Sequence, residues 1–156
     1  MKANIGISAA NTKAVALILN KLLANEFVLY AKTRNYHWNI ESPSFMEMHK
    51  FYEAQYTTLA TIIDETAERV RKIGHYAEGR LKDFIKLADL EEEEYTDDQV
   101  TQIKNLLDDH ETLIRTIRNN IDQVDEKHKD AGTADFLTGV LKEHETMAWM
   151  LRAYLK

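Results

Sequence analysis

Residues 44–74, SFMEMHKFYEAQYTTLATIIDETAERVRKIG, decide the fold. Met48, Phe51, Tyr52, Leu59, Ile62, Ile63, Val70 and Ile73 recur at spacings that keep to one side of a 3.6-residue period, which predicts a single long helix. Ser44 followed three residues later by Glu47 reads as a capping box, with Ser44 at the N-cap. Gly74 supplies the stop.

Working outward, Val15, Leu19, Leu22, Leu23, Phe27 and Tyr30 predict a first helix from Ser8 to Tyr36, about 42 Å long. Asn39–Ser42 and then Pro43 break it. Beyond Gly74, residues 75–95 hold a short amphipathic piece around Leu81, Phe84, Ile85 and Leu87. The acidic run Glu91–Glu94 follows and reads as a solvated face. Thr96 with Gln99 reads as another capping box and opens a third helix through Leu106, Leu107, Leu113, Ile114, Ile117 and Ile121. Polar residues from Asp122 to Gly132 interrupt the pattern, and Thr133 caps a fourth helix carrying Phe136, Leu137, Val140, Leu141, Met147, Met150 and Leu151. The expectation is an all-α fold: one domain over residues 1–156, a four-helix bundle with a short extra helix in the long crossover between helices two and three.

Composition agrees. The chain has 156 residues, 44% of them hydrophobic, with one Pro and five Gly, too few of both for a turn-rich sandwich or barrel. There is no cysteine, so disulfides, thiolate catalysis and cysteine-based zinc or iron–sulfur sites are excluded. A net charge of -6 makes the chain a poor default binder of phosphate backbones. The N-terminus lacks the apolar core of a signal peptide, and the apolar run Ala14–Leu19 is far short of a membrane span, so a cytoplasmic protein with no membrane partner is expected.

Phosphate loops, nucleophile elbows and dinucleotide fingerprints are all missing, which leaves histidine and carboxylate to carry chemistry. In the second helix His49 and Glu53 form one i, i+4 pair, and Asp64 and Glu68 form another. The four project within about 100° of one another, in a sector bordering the apolar stripe. Mixed nitrogen and oxygen donors suit iron, manganese or zinc. The competing reading is that Arg69, Arg71 and Lys72 simply pair the carboxylates. The two pairs are centred roughly 22 Å apart along the axis, too far for one ion. A second copy packed antiparallel about a two-fold axis would bring His49 and Glu53 of one chain to Asp64 and Glu68 of the other. His37, near the end of the first helix, reaches the level of His49 if the two helices form a hairpin. The intra-bundle di-iron motif Glu-x-x-His is absent; no glutamate lies three residues before any of the six histidines.

His37-Trp38-Asn39, Phe45, His49 and then Asp64-Glu65-Thr66-Ala67-Glu68-Arg69, together with Ala148-Trp149-Met150-Leu151-Arg152-Ala153, resemble the Dps family of bacterial mini-ferritins along nearly the whole chain. The resemblance implies a ferritin-like bundle assembled from two-fold dimers into a hollow dodecamer. It also implies ferroxidase sites at those dimer interfaces, with His37, His49 and Glu53 of one subunit and Asp64 and Glu68 of its neighbour binding iron. The family more often has Asp where this chain has Glu53. Iron (Fe2+/Fe3+) is the implied metal and hydrogen peroxide the implied oxidant, with ferric mineral stored inside as protection against oxidative damage. Trp38 resembles a tryptophan thought to intercept oxidising radicals; packing at the hairpin corner is the alternative. Arg69 is expected to neutralise part of the carboxylate cluster. Glu126, Asp130 and Asp135 correspond by position to residues lining three-fold pores for iron, against the plainer reading of a solvated acidic turn. The alternative function is a nucleoid-associated DNA-binding shell with little ferroxidase activity. Strong DNA binders of the family carry a Lys-rich extension, whereas here only Lys2 precedes the first helix and Lys156 is last, so DNA binding is expected to be weak or absent.

Overall fold

A computed structural model of the chain describes residues 3–155; Lys2 and Lys156 lie outside that range. Helix α1 spans Ala9–Asn39, α2 Phe45–Lys72, α3 Leu81–Leu87, α4 Gln99–Asp122 and α5 Ala131–Ala153. The α1–α2 and α4–α5 hairpins pack together as the expected bundle, with the short helix α3 in the crossover. Val15, Leu19, Leu29, Leu59, Ile62, Leu106, Ile117, Leu137 and Leu151 lie within one shared core.

The helix starts differ from the sequence reading in instructive ways. Ser8 caps α1 as expected, its hydroxyl accepting from the Asn11 N–H at 3.2 Å. Ser44 occupies the N-cap of α2 but makes no side-chain cap bond, because its backbone (φ -97°, ψ 27°) is not extended. Its own N–H donates to the Ser42 hydroxyl, and Glu47 accepts from the Tyr154 hydroxyl at 2.6 Å instead of closing a capping box. That carboxylate holds the Tyr154 phenol up at about 12. Asp98, not Thr96, caps α4, and Asp130, not Thr133, caps α5. In both corrections a carboxylate is the stronger acceptor for orphan amides near the positive end of a helix. Before α5 the chain makes a π-helical turn, Gln123–Lys127, then passes through Lys129 at φ 57°.

Polar side chains of α1 hold the crossover. Asn20 accepts from the Glu78 N–H and donates to the Tyr76 carbonyl. Asn25 accepts from the N–H groups of Asp89 and Leu90. Lys32 donates to the Glu91 carbonyl and pairs with Asp109 at 2.6 Å and Glu93 at 2.7 Å. The acidic run is thus not wholly solvated: Glu93 is tied to the core. Phe84 of α3 stacks on Phe27 with centroids 4.5 Å apart. By length and composition α1 is apolar enough to cross a membrane, with a mean hydropathy of 1.5 in its best window. Half of that window is buried in the bundle, and α1 buries Asn20, Asn25, Glu26 and Lys32, so it reads as the core helix.

Candidate metal centre

The loop through Pro43 closes the α1–α2 hairpin and brings His37 and His49 face to face. Their rings stack at 3.7 Å between centroids, 17° from parallel. Nδ1 of His37 donates to the His49 carbonyl at 2.7 Å, and Nδ1 of His49 donates to the His37 carbonyl at 2.8 Å. A carbonyl can only accept, so each Nδ1 carries a hydrogen, and in a neutral imidazole the lone pair then falls on Nε2. That is the tautomer a metal-binding imidazole needs, and the fold itself fixes it. Phe45 stacks on His49 at 5.2 Å and Tyr56 sets its edge against His37 at 5.2 Å, holding both rings between aromatic groups.

Glu53 lies one turn beyond His49 on α2 and is exposed. Asp64 and Glu68, also exposed, lie one turn apart near the other end of the same helix. Among the described residues no group of three or more ligating side chains surrounds a point inside one subunit. The structure therefore brings together His37 and His49 and keeps Asp64 and Glu68 on a separate part of α2.

The basic residues do not pair the carboxylates as a set. Lys72 meets Glu68 at 3.1 Å in an exposed i, i+4 contact, which is worth little in water. Arg71 donates to the His75 carbonyl. Arg69 corrects the expectation that it neutralises the cluster: its Nη2 pairs with Asp130 at 3.2 Å and its Nε donates to the Thr133 hydroxyl at 2.9 Å.

Asp130, expected at a pore, is only 2% exposed within the subunit and accepts from the Thr133 N–H and hydroxyl and from Arg69. Glu126 and Asp135 are exposed. Trp38 is 62% exposed, so it does not fill the hairpin corner; the Arg34 guanidinium lies 5.1 Å from its ring centre and 4.9 Å from that of Tyr56.

Two buried clusters escaped the sequence reading. One is Lys32 with Asp109, whose carboxyl burial pushes up to about 6 against the pull of the ammonium. The other is Glu26, His144 and His110, all fully buried. The available signal was position: His110 falls among Leu106, Leu107 and Leu113, and His144 among Val140, Leu141 and Met147, on core-facing helix sides.

The sequence profile of the ferritin-like domain matches residues 16–156. The chain is 41% identical over 154 residues to a low temperature-induced protein of Nostoc sp., covering 98% of this chain and 86% of that one. It is 33% identical over 142 residues to a DNA protection during starvation protein of Brevibacillus brevis, covering 91% of this chain and 95% of that one. Among solved structures, the Dps protein of Vibrio cholerae O1, described as a member of a broad superfamily of ferritin-like diiron-carboxylate proteins, superposes with a TM-score of 0.93. That pair shares 32% identity over 100% of this chain and 98% of the other. A ferritin-like bundle, a hairpin that presets two imidazoles and this likeness along the full length make the chain a member of the Dps family.

Proposed function

We propose that this protein is a ferroxidase and iron-storage mini-ferritin. It binds Fe(II) at sites shared between two subunits, oxidises it with hydrogen peroxide, and stores the ferric product inside a dodecameric shell in the cytoplasm. The observation that carries the reading is the reciprocal His37–His49 lock, which presets two neutral nitrogen donors one turn from Glu53. Asp64 and Glu68 of a second subunit supply the anionic donors, which favour Fe(III) over Fe(II) because the higher charge gains more from carboxylates. Two Fe(II) ions each give one electron to a peroxide, whose O–O bond breaks to leave two waters once two protons are taken up. Supplying both electrons together avoids release of hydroxyl radical. Glu126 and Asp135 attract the cation toward the shell, and exposed Trp38 gives up an electron when only one iron is present.

Adding Fe(II) anaerobically and then peroxide tests this: Fe(III) forms quickly, with about half a peroxide consumed per iron, the value for a two-electron reduction shared by two ions. The double variant His49→Ala, Glu68→Ala assembles but oxidises iron no faster than buffer. Oxidation by that variant at the wild-type rate would sink the shared site. The alternative, a shell that binds the nucleoid through DNA with little iron chemistry, fits poorly with a net charge of -6. At physiological salt no stable complex with duplex DNA is expected, and a clear plasmid mobility shift there would favour that alternative.

A further inference from the structure

The proposed iron chemistry makes no use of three titratable groups in the middle of the bundle. Glu26 on α1, His110 on α4 and His144 on α5 are each 0% exposed. His144 Nε2 contacts Glu26 Oε1 at 2.8 Å, and His144 Nδ1 contacts His110 Nδ1 at 2.9 Å. Glu26 Oε2 and His110 Nε2 are buried with no partner among the described residues. Buried polar groups left in this state destabilise a fold, so the cluster calls for an account. It is not a cation site. The two nitrogens of His144 engage different partners, so the three groups form a line, and no group of ligands surrounds a common point among the described residues.

We propose that Glu26, His144 and His110 form an acid-sensitive latch that joins α1, α4 and α5 and loosens the bundle when a further proton enters it. Each of the two contacts has room for one hydrogen, and the line is electrically neutral with three: two on the contacts and one on His110 Nε2. A fourth hydrogen either sets two N–H groups head-on between His110 and His144, or sits on Glu26 Oε2 and leaves an unpaired imidazolium. Both outcomes place net positive charge in an apolar core. Nothing nearby compensates. The other buried charged groups on α1 and α4, Lys32 and Asp109, are committed to each other. Helix α5 buries no charged residue besides His144, and α2 buries Gln55, Thr66 and the Tyr52 phenol, which burial keeps protonated. Asp130, following α4, is held by Arg69. In agreement, burial and the neighbouring His144 keep the His110 imidazole well below its ordinary value.

The unfolded chain between about pH 4.5 and 6 carries two imidazolium ions and an ionised Glu26, which makes four hydrogens against three in the fold. Unfolding then takes up one proton, and stability falls as pH falls through that window. In His110→Leu the remaining Glu26–His144 pair holds two hydrogens folded and two unfolded, so this contribution vanishes.

The test is urea unfolding of the assembled protein at one fixed concentration, from pH 7 to 4.5, for wild type and His110→Leu. The wild-type unfolding constant should rise tenfold more per pH unit below about pH 6 than that of the variant. Asp109, which titrates in the same range with the opposite effect, is common to both proteins and cancels. Equal slopes overturn the proposal. Should His110→Leu not fold, imidazole C2–H exchange followed by mass spectrometry on the wild type decides. Exchange at His110 that stays flat from pH 5 to 7 supports the latch, and a titration centred near 6.5 overturns it.

Discussion

His37 and His49 are each other's backbone partners: the ring of each donates to the carbonyl of the other, across two helices and a loop. Neither imidazole can be changed without releasing the other helix's carbonyl. His37→Ala should therefore lower stability by about 0.5–1.5 kcal/mol, the usual net contribution of one hydrogen bond, since the His49 carbonyl keeps its place in the α2 ladder. The same variant should slow Fe(II) oxidation more than tenfold even at saturating iron. Urea unfolding and stopped-flow absorbance of Fe(III) check the two effects separately.

Arg69→Leu leaves Asp130, whose side chain is 1% exposed, without its cation. A loss of roughly 3 kcal/mol is expected from breaking such a pair. Hydrogen exchange should accelerate first at residues 123–133, where the start of α5 depends on that carboxylate. Uniform acceleration across all helices would argue that Arg69 acts elsewhere.

The caps separate cleanly. Ser8→Ala removes a hydroxyl that accepts an amide hydrogen and should destabilise by about 1 kcal/mol. Ser44→Ala removes a hydroxyl with no cap bond and should stay within about 0.5 kcal/mol of wild type. Equal losses in thermal unfolding would show that Ser44 caps α2 after all.

Lys32→Met strands Asp109 and Glu93 and should cost about 3–5 kcal/mol near neutral pH. The loss should shrink in acid. Burial raises the folded Asp109 carboxyl to about 6, above its unfolded value of 3.8, so the neutral form favours the fold and stability is lost as pH rises through that window. Unfolding of the variant at pH 5 and pH 7.5 gives the comparison, and an equal loss at both values counts against it.

Helix number, order and the hairpin register of His37 and His49 were legible because each rests on local periodicity or on spacing across one short loop. What escaped depended on partners distant in the chain. Arg69 follows Glu68, and nothing local says that it reaches residues 130 and 133, more than sixty positions on. Thr133 begins an apolar run and looks like a cap, yet Asp130 supplies the oxygen. His110 and His144 sit at core positions that periodicity marks only as buried; that they meet each other and Glu26 is a product of the packing.

The crossover between α2 and α4 takes its path from α1. Asn20, Asn25 and Lys32 meet successive backbone groups of residues 76–91, while the crossover's own helix contributes one buried side chain, Phe84. A graft of residues 75–97 from a relative would thus inherit its route from the host's first helix. Such a chimera should follow its native course only if the matching polar positions of α1 travel with it, which makes the two distant segments a single unit of inheritance.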